Sequence, residues 1–508
     1  MDNKKIKTLG ELKKSGYVSK SIKQEIRDNL ITKIKAKENP FPGILGYEDS
    51  VIPDTERALL SQHNILFLGL RGQAKTRMAR QMIELLDEYI PIVAGSEIND
   101  DPLKPVSKYA VDLIAEKGDD TPIAWLHKKQ RYGEKLATPD VSVADLIGDI
   151  DPIKAANLKL SFADEGVLHY GIIPRSNRSI FVINELPDLQ ARIQVSLFNI
   201  LEEGDLQIRG FKLRLPLDVL FVFTANPEDY TNRGSIVTPL KDRIESQILT
   251  HYPKSIETSL AITEQEAGIS EEQSSRVKVS DLIKRLIEQV AFEARGSELV
   301  DKKSGVSARL TISAYENAVS AAERRAIINN EKETQVWLSD LIGIIPSITG
   351  KIELVYEGEQ EGPYQVAFNL LEKSIRTQFG LYFPNPDTLK KKRSKEATPD
   401  DNPYKSITRW FDAGNSLNNF FETKDEDKVQ LLYKVDGLHA LVKKYFKSAN
   451  EKENALLMEF VLHGLAAHSL ISKKVVEGKI EFKDLMGSML NIGSQHFSEE
   501  DFNEDDFN

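Results

Sequence analysis

The sequence predicts an α/β fold: a parallel sheet sandwiched by helices, followed by an α-helical lid and a mostly helical C-terminal region. Three observations predict it. Between about residues 40 and 250, apolar runs at 64–68, 179–183 and 219–224 alternate with stretches of helical apolar spacing, as in strands joined by helical crossovers. A glycine-bearing turn, residues 69–76, separates the first of these runs from the helical pattern Arg77-Met78-Ala79-Arg80-Gln81-Met82-Ile83-Glu84-Leu85-Leu86. From 254 to about 330 the pattern is almost entirely helical, and helical spacing returns beyond 406 at Leu456/Leu457, Phe460/Val461 and Leu465.

Taken in order, residues 1–37 form a basic helical N-terminal arm, with weak periodicity through Ile22, Ile26, Leu30 and Ile34. A solvated helix is the expectation, with docking on a neighbouring subunit as the alternative. Pro40 and Pro42 break the pattern and open an αβα core at 38–253. Within it, alternation on both sides of Gly210-Phe211 reads as a hairpin leading into the strand at 219–224. A helical lid at 254–334 is followed by a mixed α/β extension at 335–382, where Ile352-Glu353-Leu354-Val355-Tyr356 reads as β-rich. Residues 383–405 are a charged linker, and its Lys390-Lys391-Lys392-Arg393 run is read as solvated rather than as a nucleic-acid contact. A helical region at 406–497 and an acidic tail at 498–508, expected to be disordered, complete the chain.

The chemistry begins at Gly69-Leu70-Arg71-Gly72-Gln73-Ala74-Lys75-Thr76, directly after the apolar run Asn64–Leu68. Strand, glycine turn, Lys-Thr and helix together make the phosphate-cradling loop of nucleoside triphosphatases. Backbone N–H groups wrap the phosphates, and glycine lets the backbone come that close. Lys75 is then expected to reach the β- and γ-phosphates and Thr76 to ligate Mg²⁺. Ala74 stands where glycine is usual before the lysine; its methyl group is tolerable provided φ stays negative. The second strand ends in Asn184-Glu185, where an Asp-Glu pair would steer Mg²⁺ and activate water. Asn184 can still accept from a metal-bound water but brings no charge, while Glu185 remains as general base. The third strand ends in Ala225-Asn226-Pro227, and Asn226 is placed to orient the lytic water. Arg243 and Arg309 are suited to phosphate charge in the transition state, the first from a neighbouring subunit.

Bulk properties bound the class. The chain of 508 residues, 40% hydrophobic and 29% charged, reads as a soluble protein of about three to four domains. No stretch approaches a membrane span, the N-terminus lacks a secretory signal, and a cytoplasmic location is expected. With no cysteine there is no disulfide, thiolate metal site or cysteine nucleophile. The net charge of −11 argues against broad nucleic-acid binding. The eight histidines show no paired metal spacing, so His463 and His468 are expected in a core or an interface. Trp410-Phe411 and Phe420-Phe421 are expected as core aromatics of the C-terminal region.

Further segments line up around these motifs. They are Asn39-Pro40-Phe41-Pro42-Gly43-Ile44-Leu45-Gly46-Tyr47, Asp145-Leu146-Ile147-Gly148 with Gly166-Val167-Leu168-His169, and Leu201-Glu202-Glu203-Gly204 with Arg209-Gly210. Thr224-Ala225-Asn226-Pro227, Leu240-Lys241-Asp242-Arg243 and Ser304-Gly305-Val306-Ser307-Ala308-Arg309 follow in order. Over roughly residues 40–330 the chain resembles the AAA+ superfamily, in the clade of the magnesium-chelatase ATPase subunit and the MoxR-like ATPases. The resemblance implies a P-loop ATPase using ATP and Mg²⁺, built as a homo-oligomeric ring, by family habit a hexamer. It implies nucleotide contacts from Ile44, Gly46, Gly69, Gly72, Gln73, Ala74, Lys75, Thr76 and Arg77, and metal contacts from Thr76 and Asn184. It also implies Glu185 as base, Asn226 as sensor 1, Arg243 as arginine finger, Arg309 as sensor 2, and a von Willebrand A domain partner to remodel or activate. Because Asn replaces the Walker B Asp, a nucleotide-gated assembly scaffold with weak or no hydrolysis is the alternative. An activator of the σ54 kind is disfavoured, since no Gly-Ala-Phe-Thr-Gly-Ala run occurs. Tetrapyrrole metal insertion by this chain alone is disfavoured too, since the clade places that step on another subunit.

Overall fold

The computed structural model describes residues 6–159, 165–207, 214–227, 234–388, 402–447, 450–476 and 478–485. The chain forms two compact units, Met1–Tyr252 and Pro253–Asn508.

The first unit opens with helices α1 (Leu9–Lys14) and α2 (Ile22–Ala36), each capped by a hydroxyl, Thr8 and Ser21 respectively. The expectation of a solvated arm is corrected here. Ile22, Ile26 and Leu30 are buried in one cluster with Ile52, Leu59 and Leu85. Two polar anchors hold the helix down: Glu25 accepts from both terminal guanidinium nitrogens of buried Arg131 at 2.7 Å, and the Ile22 N–H donates to Asp218 at 2.7 Å. Lys23 and Lys33 are half-buried and Lys35 is exposed, so the composition looks solvated although Ile22, Ile26 and Leu30 are core.

Helix α3 (Val51–Leu60) leads into strand β1 (Ile65–Leu68), and α4 (Lys75–Gln81) leaves the turn that follows. The remaining sheet strands are β2 (Tyr132–Leu136), β3 (Ser179–Asn184), β4 (Val219–Ala225) and β5 (Ser246–Leu249). All five run parallel in the order β5-β1-β4-β3-β2. β4 therefore lies between β1 and β3, and the turn and the two polar strand ends meet at the C-terminal edge, where parallel sheets bind ligands. The strands expected at 64–68, 179–183 and 219–224 form; β2 and β5 were not foreseen. Alternate residues feed two cores. Ile65, Phe67, Val182 and Val222 pack with the N-terminal helices, while Leu66, Phe181, Ile183 and Phe223 pack with the segments between 137 and 244. Strands Asp205–Gln207 and Arg214–Pro216 pair antiparallel; the predicted hairpin's tip, with Arg209 and Gly210, lies outside the described residues.

The second unit is mostly helical, as expected, with α5 (Ile256–Glu266), α6 (Asp281–Gly296), α7 (Arg309–Ile328), α8 (Pro363–Tyr382) and α9 (Glu451–Ala467). One apolar cluster runs from Val277 to Phe482, so the boundaries placed at 334/335 and 382/383 are not breaks in packing. Ile352–Tyr356 is not a strand. Leu354 makes a single bridge to Val300, and a helix begins at Tyr356, because Ile352 and Leu354 face a helical core with no strand to extend. Conversely, the region expected to be helical contains a three-stranded antiparallel sheet of Leu417–Phe420, Ser472–Val476 and Lys479–Lys483. Phe411, His463 and His468 are buried, and Trp410 and Phe421 pack against the same core. The Lys390–Arg393 run and the acidic tail lie outside the described residues.

Candidate active site

The turn after β1 is shaped by its own sequence. Gly69 has no room for a side chain, since a Cβ there would lie 2.0 Å from the Thr250 hydroxyl and 2.3 Å from the Gln73 amide oxygen. Gly72 takes φ +71°, and Ala74 takes φ +55°. The second value corrects the expectation that Ala74 keeps φ negative. The turn enters α4 through a left-handed residue, so the alanine carries strain that glycine would not.

Several contacts brace this turn. Tyr47 donates its hydroxyl to the Gln73 carbonyl and lies against the ring of His251 at 5.0 Å. Thr250 donates to the Gln73 side chain at 2.7 Å, and Tyr252 donates to the Arg71 carbonyl at 2.8 Å. Gln73, expected at the nucleotide, thus turns its side-chain oxygen toward Thr250. Burial pushes the Tyr47 phenol above its usual range, so it stays a neutral donor. Ile44 is buried in the adjoining core, and Gly46 takes φ +79° and donates to Glu48 at 3.1 Å. Arg77 is half-buried on α4.

Five of the expected residues form one connected set. Buried Lys75 donates to the Gly69 and Leu70 carbonyls and, at 2.6 Å, to the Asn226 side-chain oxygen. Asn226 passes the contact on, donating through Nδ2 to Glu185 at 2.9 Å. Glu185 takes φ +56° at the end of β3, and its N–H donates to the Thr224 hydroxyl. The hydroxyls of Thr76 and Thr224 both donate to Asn184 Oδ1, at 3.2 and 3.0 Å. Phosphate-loop lysine, sensor amide, candidate base and the two candidate metal-site residues therefore stand at three neighbouring strand ends.

Two of the expected catalytic residues are not part of this set. Arg243 donates to Glu202 and to the Pro239 carbonyl and lies over the Phe198 ring at 4.8 Å. Arg309 is the exposed first residue of α7 in the second unit. Sequence reading missed Glu134 on β2, which accepts from the Asn184 amide at 2.7 Å. It also missed Tyr47, Thr250 and Tyr252 as braces. Tyr47 ends the Asn39–Tyr47 segment, but Glu134 has no motif around it. No group of three or more His, Asp or Glu side chains able to hold a metal occurs among the described residues. No helix among them is long and apolar enough to cross a membrane.

No protein-family model matches the chain, and no curated protein matches it. Among solved structures, NtrX from Brucella abortus aligns at 13% identity and a TM-score of 0.36, over 60% of this chain and 57% of its own. The alignment thus spans less than two thirds of NtrX. A candidate ATPase of Cytophaga hutchinsonii aligns at 19% identity and a TM-score of 0.28, over 72% of this chain and 98% of its own. A chain of the magnesium chelatase BchI–BchD complex aligns at 17% identity and a TM-score of 0.33, over 63% of this chain and 98% of its own. These likenesses are loose, and function is better read from the residues of the site.

Proposed function

We propose that this chain is an AAA+ ATPase of the magnesium chelatase ATPase-subunit and MoxR-like kind, hydrolysing ATP in a cytoplasmic homo-oligomeric ring, a hexamer by family habit. The observation that carries the proposal is the run Lys75–Asn226–Glu185 beside Thr76–Asn184, drawn from the start of α4 and the ends of β4 and β3. The donor set fits a Mg²⁺-nucleotide: a buried cation, a hydroxyl, an amide oxygen and a carboxylate, around a turn whose first glycine admits no side chain. Lys75 would hold phosphate oxygens, and Thr76 with Asn184 would hold the metal. Bound Mg²⁺ supplies charge neutralisation at the phosphates. Glu185 takes the proton of the attacking water, and the Asn226 amide fixes the carboxylate in place for that transfer. Arg243 would act on a neighbouring subunit's nucleotide, exchanging Glu202 for phosphate, and Arg309 would act from the lid. A von Willebrand A domain protein is the proposed partner.

The second reading, a nucleotide-gated assembly scaffold, is favoured by Asn184 alone. Steady-state ATP turnover of the full chain and of Glu185→Gln separates the two. A motor turns over, and the variant loses about 10²–10⁴-fold. Turnover absent from the wild type leaves the scaffold, whereas turnover equal in the variant rejects Glu185 as the base.

A further inference from the structure

We infer that Glu134 supplies the negative charge that Asn184 lacks, holding the Asn184 amide with its oxygen toward Thr76 and so setting Mg²⁺ affinity at this site. The inference rests on the ATPase reading above. It starts from register: on adjacent parallel strands Glu134 pairs with Val182 and Leu136 with Asn184, which brings the carboxylate to the strand end where the family keeps an aspartate. Asn184 donates to Glu134 at 2.7 Å. An ionised carboxylate has no proton to give, so the amide nitrogen must face it and Oδ1 must face away. Oδ1 lies where the Thr76 and Thr224 hydroxyls reach it.

The carboxylate is itself fixed. Arg80, one helical turn after Thr76 on α4, donates to both Glu134 oxygens at 3.0 and 3.2 Å, and the Tyr132 hydroxyl donates at 3.0 Å. Burial, and then the charge of Glu134, push the Tyr132 phenol above its usual range and keep it a donor. The Arg80 side chain is 62% exposed against 24% for Glu134, so water screens the guanidinium more than the carboxylate. An asparagine on β3 and a glutamate on β2 together carry the single negative charge that one aspartate would. Glu134 is a positioning residue: it acts on the metal through the amide it orients.

The test is a Mg²⁺ titration of mant-ATP binding to the full chain, for the wild type, Glu134→Gln, Asn184→Asp and the double variant. Glu134→Gln should bind metal-free mant-ATP as the wild type does. It should need about 10–100-fold more Mg²⁺ to reach the metal-bound affinity, as loss of an outer-shell partner does elsewhere. Asn184→Asp alone sets two carboxylates in contact and should gain nothing, while the double variant should return near the wild-type Mg²⁺ requirement. A purely structural role for Glu134 would not give that rescue. Equal Mg²⁺ titrations for the wild type and Glu134→Gln overturn the inference, as does tighter Mg²⁺ binding by Asn184→Asp alone. A wild type that binds no mant-ATP, with or without Mg²⁺, overturns the ATPase reading and this inference with it.

Discussion

At the scale of single residues, the site concentrates backbone strain. Ala74 and Glu185 both have positive φ, +55° and +56°, one at the entry to α4 and one at the end of β3. A non-glycine residue there costs about 1–2 kcal/mol. At Glu185 the strained backbone donates to Thr224 while the side chain accepts from Asn226, so the end of β4 holds the candidate base at two points. Ala74 has no side-chain polar atom to justify its conformation. Replacing it with glycine relieves the strain but loosens the unfolded chain by about 0.4–1 kcal/mol. Ala74→Gly should therefore leave unfolding free energy unchanged or raise it by about 0.5 kcal/mol, read from urea unfolding. A loss of about 1 kcal/mol, as at an ordinary helical alanine, would show that φ is negative there after all.

Elements differ in how far their sequence reveals them. β1, β3 and β4 are covered on both faces and read as unbroken apolar runs, so they were legible together with the lysine, amides and carboxylate at their ends. β2, Tyr-Gly-Glu-Lys-Leu, is an edge strand whose polar residues serve the site, and it offered no such run. Glu134 stayed hidden for the same reason: fifty positions separate it from Asn184, and only strand pairing joins them. In α2 the i, i+4 spacing of Ile22, Ile26 and Leu30 was legible as helix, but its burial was not, because the covering partner Arg131 lies a hundred residues away. Helix α9 is apolar enough to be read as core, and the core it enters is charged. His463 lies there with its Nδ1 3.2 Å from the Lys473 ammonium. Burial first, then Lys473 and Lys428, hold the His463 imidazole well below its usual pKa of 6.5. The unfolded chain therefore binds more protons than the folded one below pH 6.5, and the stabilisation present above 6.5 is lost as pH falls from there. Urea unfolding should show stability falling on acidification below that value, by at most about 1.4 kcal/mol per pH unit from this group. His463→Gln, which can still accept from Lys473 but does not titrate, should flatten that slope. An unchanged slope would place the acid sensitivity elsewhere.

At the scale of the whole molecule, the first unit holds most of the candidate site. Lys75, Thr76, Asn184, Glu185 and Asn226 are within one unit, while Arg243 is occupied by Glu202 and Arg309 stands on the second unit. Under the proposed ring, the arginine charge that this set lacks would be delivered on assembly. The motifs on which the proposed family rests were legible because each is a short contiguous run. The single core spanning Val277 to Phe482 was not, because it joins segments that each read as separate domains. The measurement that tests the central claim most directly is ATP turnover across a protein-concentration series, for the wild type, Arg243→Ala and an equimolar mixture of Arg243→Ala with Glu185→Gln. Specific activity should rise with concentration, and Arg243→Ala should lose about 10³–10⁵-fold. The mixture should recover part of the activity by pairing an intact arginine with an intact glutamate. Activity independent of concentration, unaffected by Arg243→Ala and no greater in the mixture would contradict a shared active site.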